Sequence, residues 1–426
     1  MSRVTVSPNK DGLLQAGKPW FYLADTVWSV FSNASIEEWA QYLDYRRMQN
    51  FNALQISMLP ILHDASNTYV GLAPFHLGDN GKWNFSHIND EFFDKAETMV
   101  AMACDKGFVP VLVVLWNNYV PGTWANKKAS DSTMPKDAVK PYTEYVARRF
   151  SKYNPMYFIS GDSKFETAEI IEYFDISLRA LKEIEPHALT AMHPTSNFHQ
   201  LDDKFIQSSD LDLYIYQSGH HLQEQHMTYG LAEAFSEKSV KRPIINSEPC
   251  YEGHGHGNQY GRFDEFDLRR AFWSSVLSGA KAGFTYGAHG IWSWHKKGAE
   301  FNNEGFSKIP FDWSASLTLR GAWDVGYSKW IFEQYKLFDL NPRQDLIDSP
   351  YPDIRTAASE DLNTIVIYTP YANDVQLHIE LSEYQVVMIN LQDRHIIIPE
   401  LSYDENGTKV AMTQMNVDTL LIATRL

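Results

Sequence analysis

Two acidic side chains stand where short apolar runs stop. Pro243-Ile-Ile245 gives way to Asn246-Ser247-Glu248, and Pro155-Met-Tyr-Phe-Ile159 gives way to Ser160-Gly161-Asp162. A buried strand gains nothing by closing on a carboxylate unless the carboxylate has polar work to do, and the C-terminal end of a parallel barrel strand is where side chains meet substrate. Two carboxyl groups, one protonated and one ionised, are what hydrolysis of a glycosidic bond requires. One donates to the leaving oxygen, and the other attacks the anomeric carbon or activates water. Asp162 and Glu248 are therefore the candidate catalytic pair. Glu166 and Glu252, each four residues further on, are rival acids, and Glu252 also reads as a supporting or substrate-binding group.

Such a pair needs a scaffold that brings distant strand ends to one face. Strand-like runs end near Ala24, Ser57, Leu115, Ile159, Met192, Tyr216, Ser247 and Tyr286. Helical patterns lie between most of them, beginning with Ser35 as N-cap and Glu38 three residues on. Phe108 to Leu115 is almost unbroken in its apolar character, as a strand buried on both faces should be. Eight such strands with intervening helices predict a (β/α)8 TIM barrel over residues 1–339. Beyond about residue 340 the chain turns to short β-rich runs with an Asn406-Gly407 hairpin signal, which predicts a small C-terminal antiparallel β-sandwich over 340–426.

In that register the strands deliver Asp25, Gln55, Trp116, Asp162, His193, Gln217 with His220, Glu248 and His289 to one face. A structural barrel has no need of so many polar ends. Asp25, Gln55, His193, Gln217, His220, Glu252 and His289 are expected to bond sugar hydroxyls, and Trp116 and Trp292 to stack on a ring.

Composition narrows the classes. A formal charge of −16 argues against a nucleic-acid partner, which needs clustered Lys and Arg. Two cysteines, Cys104 and Cys250, make no disulfide framework. No apolar run reaches membrane-spanning length and the N-terminus lacks an apolar leader, so the expected location is cytoplasmic, with no membrane partner. Aromatic content of 14% suits either a large core or a sugar cleft.

The segments Tyr22-Leu-Ala-Asp-Thr-Val-Trp28, Ser160-Gly-Asp162, Gln217-Ser-Gly-His220, Ser247-Glu-Pro-Cys-Tyr-Glu-Gly253 and Gly283-Phe-Thr-Tyr-Gly-Ala-His-Gly-Ile-Trp-Ser-Trp294 resemble those of the apiosidase-like glycoside hydrolases. The resemblance runs through nearly the whole chain. It implies a barrel of the retaining glycosidase type, with Asp162 as acid/base after strand four and Glu248 as nucleophile after strand seven, followed by a C-terminal β domain named for collagen binding. Nothing in residues 340–426 supports collagen as a partner. Apiose- or other pentose-containing plant glycans are the implied carbohydrate substrates. Ser160 stands where the family usually has glycine.

Two other chemistries compete. His193, His220, His221, His254, His256 and His289 could hold a metal, and His254-Gly-His256 has ligand-like spacing. That pair sits in a glycine-rich stretch rather than on a strand, so neither a metal nor any other cofactor is expected. The same barrel could bind carbohydrate without cleaving it. A thiol or serine hydrolase finds little support, because no Gly-x-Ser-x-Gly elbow is present and Cys250 has no spaced base.

Overall fold

The structure, a computed structural model, describes residues 2–63, 72–349, 351–411 and 417–426. Strands β1 (Tyr22–Thr26), β2 (Ala53–Ser57), β3 (Val109–Trp116), β4 (Met156–Ser163), β5 (Thr190–Pro194), β6 (Leu213–Tyr216), β7 (Ile244–Asn246) and β8 (Gly283–Tyr286) lie side by side in that order. All pairings are parallel, and β8 returns to β1 to close a barrel. The helices that follow are α1 (Ile36–Met48), α2 (Asp90–Asp105), α3 (Lys136–Phe150), α4 (Ala168–Ile184), α5 (Asp203–Ile206), α6 (Met227–Ser236), α7 (Glu265–Val276) and α8 (Gly321–Gln334). The (β/α)8 architecture expected from the sequence is present.

Local chemistry sets the element ends. Ser35 accepts from the Glu38 N–H while the Glu38 carboxylate accepts from the Ser35 N–H, which closes the predicted capping box of α1. Gly107, at φ +88, stops the chain after α2 in a conformation that a side chain would resist. Helix α3 starts at Lys136 and carries Pro141 inside it. Strand β4 runs on to Ser163, so Asp162 belongs to the strand itself rather than to the loop beyond.

A three-stranded antiparallel sheet (Val4–Val6, Leu13–Gln15, Lys18–Trp20) precedes the barrel. Its ion pairs run from Arg3 to Glu185 and from Asp11 to Lys281, just ahead of β5 and β8, which places it at the N-terminal end of the barrel, away from Asp162 and Glu248.

After the barrel come two antiparallel sheets of six and four strands. Strand Thr364–Thr369 shows how they are held. Ile365 and Ile367 enter a core shared with Val375, Leu377, Val386, Met388 and Leu421, while Val366 and Tyr368 join the core that is continuous with the barrel. This strand is thus buried on both faces, which suits its apolar run Ile365-Val-Ile367. Arg269 on α7 makes a two-pronged contact with Asp418, at 2.7 and 2.9 Å, and reaches Asp324 on α8 at 2.6 Å. All three are buried. The Asn406-Gly407 signal falls in the hairpin between Leu401–Asp404 and Gly407–Val410. No helix among the described residues is long and apolar enough to cross a membrane.

Candidate active site

A cavity of about 400 Å³ opens at the C-terminal ends of the strands. Asp162 from β4 and Glu248, two residues beyond β7, both line it. Trp28, Trp116, Trp124, Gln217, His220, Tyr251, His254 and Trp292 supply most of the remaining wall. Such a wall of rings with a few polar groups suits a sugar, whose C–H faces lie on aromatics while its hydroxyls need hydrogen bonds.

Asp162 has φ +55, a left-handed conformation that non-glycine residues seldom adopt. Its carbonyl is clamped by Asn117 Nδ2 at 2.5 Å and Trp124 Nε1 at 3.2 Å, and its N–H donates to His193 Nδ1 at 3.3 Å. These bonds hold the unusual turn, which is how strain persists at functional positions. Gly161 before it lies against Trp116, where a Cβ would come within 2.3 Å of the indole. The Ser160 hydroxyl donates to the His193 carbonyl at 3.0 Å, so the serine at this usual glycine position is accommodated within the β4–β5 seam.

Glu248 is 6% exposed. His220 Nε2 lies 3.1 Å from its Oε1, and His193 Nε2 lies 3.4 Å from its Oε2, the latter long for a hydrogen bond. Because His193 Nδ1 accepts from the Asp162 N–H, the network assigns the ring proton to Nε2, the nitrogen facing Glu248. His193 therefore bridges the two acids: it receives from the backbone of one and points its proton at the carboxylate of the other. Burial holds both histidines down to about 3, so they act as neutral donors.

Asp162 feels the charge of Glu248. Burial raises Asp162 well above the usual carboxylate range, and the charge of Glu248 raises it further, against a hydrogen bond from Thr195. Burial pushes Glu248 up to about 8, opposed by a hydrogen bond with Tyr251. Two carboxyls sharing one apolar-walled site do not ionise together easily. With Glu248 ionised, the proton belongs on Asp162.

Five of the expected sugar contacts do not line this cavity, which corrects the sequence reading. Asp25 is fully buried, accepting from Tyr42 Oη and Arg46 Nε, both at 2.6 Å. Gln55 Nε2 donates to Tyr22 Oη and Thr285 Oγ1 inside the barrel. Glu252 accepts from Tyr286 Oη at 2.5 Å and from the Gly321 N–H at 2.9 Å, so it caps the start of α8, where a negative charge is favoured. His289 donates from Nε2 to the Lys308 carbonyl and accepts at Nδ1 from Trp292 Nε1, thereby orienting Trp292. His193 sits beneath Glu248 rather than in the wall. Trp116, Gln217, His220 and Trp292 are in the wall as expected. Glu166 is exposed and outside the cavity, so Asp162 is the carboxyl that faces Glu248.

Trp28, Trp124 and Tyr251 were not anticipated as wall residues, whereas the glycine-rich loop with His254 shapes the wall rather than a metal site. Trp28 and Tyr251 lie within the quoted motifs, and Trp28 Nε1 donates to Tyr251 Oη at 2.9 Å. His254 stacks on His220 with ring centroids 4.6 Å apart and donates from Nδ1 to the Gly255 carbonyl. Among the described residues, no three His, Cys, Asp or Glu side chains converge as metal ligands would.

The model of the apiosidase-like catalytic domain matches residues 7–339. The chain belongs to the apiosidase-like family. This apiosidase-like chain is a glycosidase, and carbohydrate is its substrate. Its fold is shared with solved structures at low identity. One described as a glycoside hydrolase superimposes with a TM-score of 0.82 at 20% identity, covering 100% of this chain and 97% of that one. A family 5 glycoside hydrolase from Bacteroides vulgatus gives 0.81 at 19% identity, covering 99% and 93%. No curated protein matches this apiosidase-like chain in sequence.

Proposed function

We propose that the chain is a retaining glycosidase with Asp162 as acid/base and Glu248 as nucleophile, acting on apiose- or other pentose-containing plant glycans. The observation that carries this reading is that Asp162 and Glu248, from opposite sides of the barrel mouth, share one cavity in which the charge of Glu248 favours the proton on Asp162.

In the first step Asp162 donates its proton to the glycosidic oxygen while Glu248 attacks the anomeric carbon, so the C–O bond to the leaving group breaks as the glycosyl ester forms. Neutral His220 and His193 orient the attacking carboxylate without neutralising it. In the second step Asp162, now ionised, takes a proton from water, whose oxygen displaces Glu248 and releases the sugar. Trp28, Trp116 and Trp292 offer ring faces to the sugar, and Gln217 offers an amide for its hydroxyls. The pentose assignment is supported by family membership alone.

A panel of aryl glycosides and plant oligosaccharides, including apiosides and arabinosides, tests the reading. The wild type is expected to hydrolyse at least one, with proton NMR showing the same anomer first released as was bound. Glu248→Gln should reduce turnover to near background. Asp162→Ala should spare aryl glycosides with good leaving groups more than natural glycosides, because only the latter need the proton. Inverted first product, or a Glu248→Gln variant with wild-type turnover, contradicts the mechanism.

A further inference from the structure

Beyond the catalytic cavity lie two further depressions that share Trp83. Ile61, His63, Trp124 and Lys128 belong to the wall of the catalytic cavity. Their chain neighbours Leu62 and Ala129 line a second depression of about 250 Å³ together with Leu77, Trp83 and Asp131. Trp83 also lines a third, of about 680 Å³, with Asn80, Asn84 and Asp137. The segments 61–63 and 124–129, which run from the catalytic wall to the second depression, set a path on the side where Trp124 holds the Asp162 carbonyl.

Its surface is apolar where solvent exposure is costly. Leu62 is 36% exposed and Leu77 is 65% exposed. Leu77 and Trp83 face each other in the pairing of Phe75–Leu77 with Trp83–Ile88. The Trp83 indole is held by aromatic neighbours: Tyr119 nearly parallel at 6.3 Å between centroids, and Phe75 at 6.1 Å. Tyr119 Oη donates to the Pro60 carbonyl at 2.7 Å, next to Ile61 of the catalytic wall, and Lys82 pairs with Asp131 at 2.6 Å. The hairpin thereby rests on Tyr119, which is bonded beside the catalytic wall, and pairs with Asp131 of the second depression. A held, partly exposed ring beside leucines, with Asn and Asp amides and carboxylates beyond, matches the alternating C–H faces and hydroxyls of a sugar chain.

We propose that this path binds the leaving-group side of an extended glycan, with Trp83 as a distal stacking platform. The orientation rests on the acid role proposed for Asp162: the group leaving from Asp162 departs toward Trp124, Lys128 and then the hairpin. The substrate class is then an oligosaccharide or polysaccharide, with a small glycoside as a partial fit.

The test compares wild type, Trp83→Ala and Leu77→Ser by kcat/KM on an aryl monoglycoside and on an oligosaccharide carrying the same terminal sugar, and by affinity electrophoresis in gels containing pectin or arabinoxylan. The aryl glycoside should report an intact catalytic centre in both variants, because Trp83 is not part of the catalytic wall. Oligosaccharide kcat/KM should fall about tenfold for Trp83→Ala, mainly through KM, the equivalent of about 1.4 kcal/mol. Retardation by polysaccharide should weaken in both variants. Equal losses on both substrates, or no loss on the oligosaccharide, overturn the proposal. If the wild type cleaves nothing, the catalytic reading fails separately. The gels then decide: retardation of wild type and not of Trp83→Ala supports the platform, and absence of retardation in both refutes it.

Discussion

Replacing Glu248 by Gln should stabilise the protein, and the gain should depend on pH. Burial raises this carboxyl from an ordinary 4.5 to about 8, so the folded protein retains a proton that the unfolded chain releases near 4.5. Folding is unaffected by the group below 4.5, is penalised increasingly as pH rises from 4.5 to 8, and bears the full penalty above that. At pH 7, two and a half units above the unfolded value, folding must take back a proton that the unfolded chain has released, and each unit is worth about 1.4 kcal/mol, so the penalty is about 3 kcal/mol. Gln has the same shape, keeps an oxygen for His220 and removes the charge. With an unfolding entropy of about 2.1 cal/mol/K per residue over this length, a gain of that size raises the Tm by about 3 °C. Scanning calorimetry of wild type and Glu248→Gln at pH 4, 5.5, 7 and 8 measures it. The difference should be near zero at pH 4 and grow steadily to pH 8. An equal or lower Tm for the variant at pH 7, or a gain that does not vary with pH, would refute the argument that burial disfavours the ionised form of this carboxyl.

The same ionisation should shape the pH dependence of activity. kcat/KM should climb through about pH 8 as Glu248 ionises, then fall as Asp162 loses its proton; a profile already flat from pH 5 would contradict this. Asp25→Asn leaves the fully buried Arg46 without its counter-ion and should cost about 3–5 kcal/mol in urea unfolding, with KM for a substrate unchanged. An altered KM with unchanged stability would return Asp25 to the binding site. Gly161→Ala drives a methyl into the Trp116 indole and should cost about 1–3 kcal/mol while lowering kcat/KM; unchanged activity would mean that the Trp116 position is immaterial.

The barrel was legible because each strand is a short apolar run bounded by turn residues. Asp162 and Glu248 were legible because an acid ending such a run is conspicuous. What could not be read was phase. Barrel strands are buried on both sides, so Tyr22-Leu-Ala-Asp-Thr26 carries no alternation to say whether Asp25 points into the mouth or toward α1. It points toward α1, where Arg46 waits, and that partner lies too far along the chain to be inferred from spacing. Glu252 and His289 illustrate the same limit. Both follow strands seven and eight, yet one caps α8 and the other holds Trp292. Tyr251 and His254 reach the wall from the segment after β7, where no periodicity assigns direction. The central strand of the C-terminal sheet, Thr364–Thr369, is apolar on both faces, so its sequence did not say which face meets the barrel.

The central claim is a covalent glycosyl–Glu248 intermediate. Incubation with an activated 2-deoxy-2-fluoro glycoside of the sugar that the enzyme accepts slows the second step and accumulates that ester. Peptide mapping by mass spectrometry then locates it. A single fluoroglycosyl label is expected on Glu248, absent from Glu248→Gln. A label on Glu252 or Asp162, or turnover with no label on any carboxylate, would contradict it.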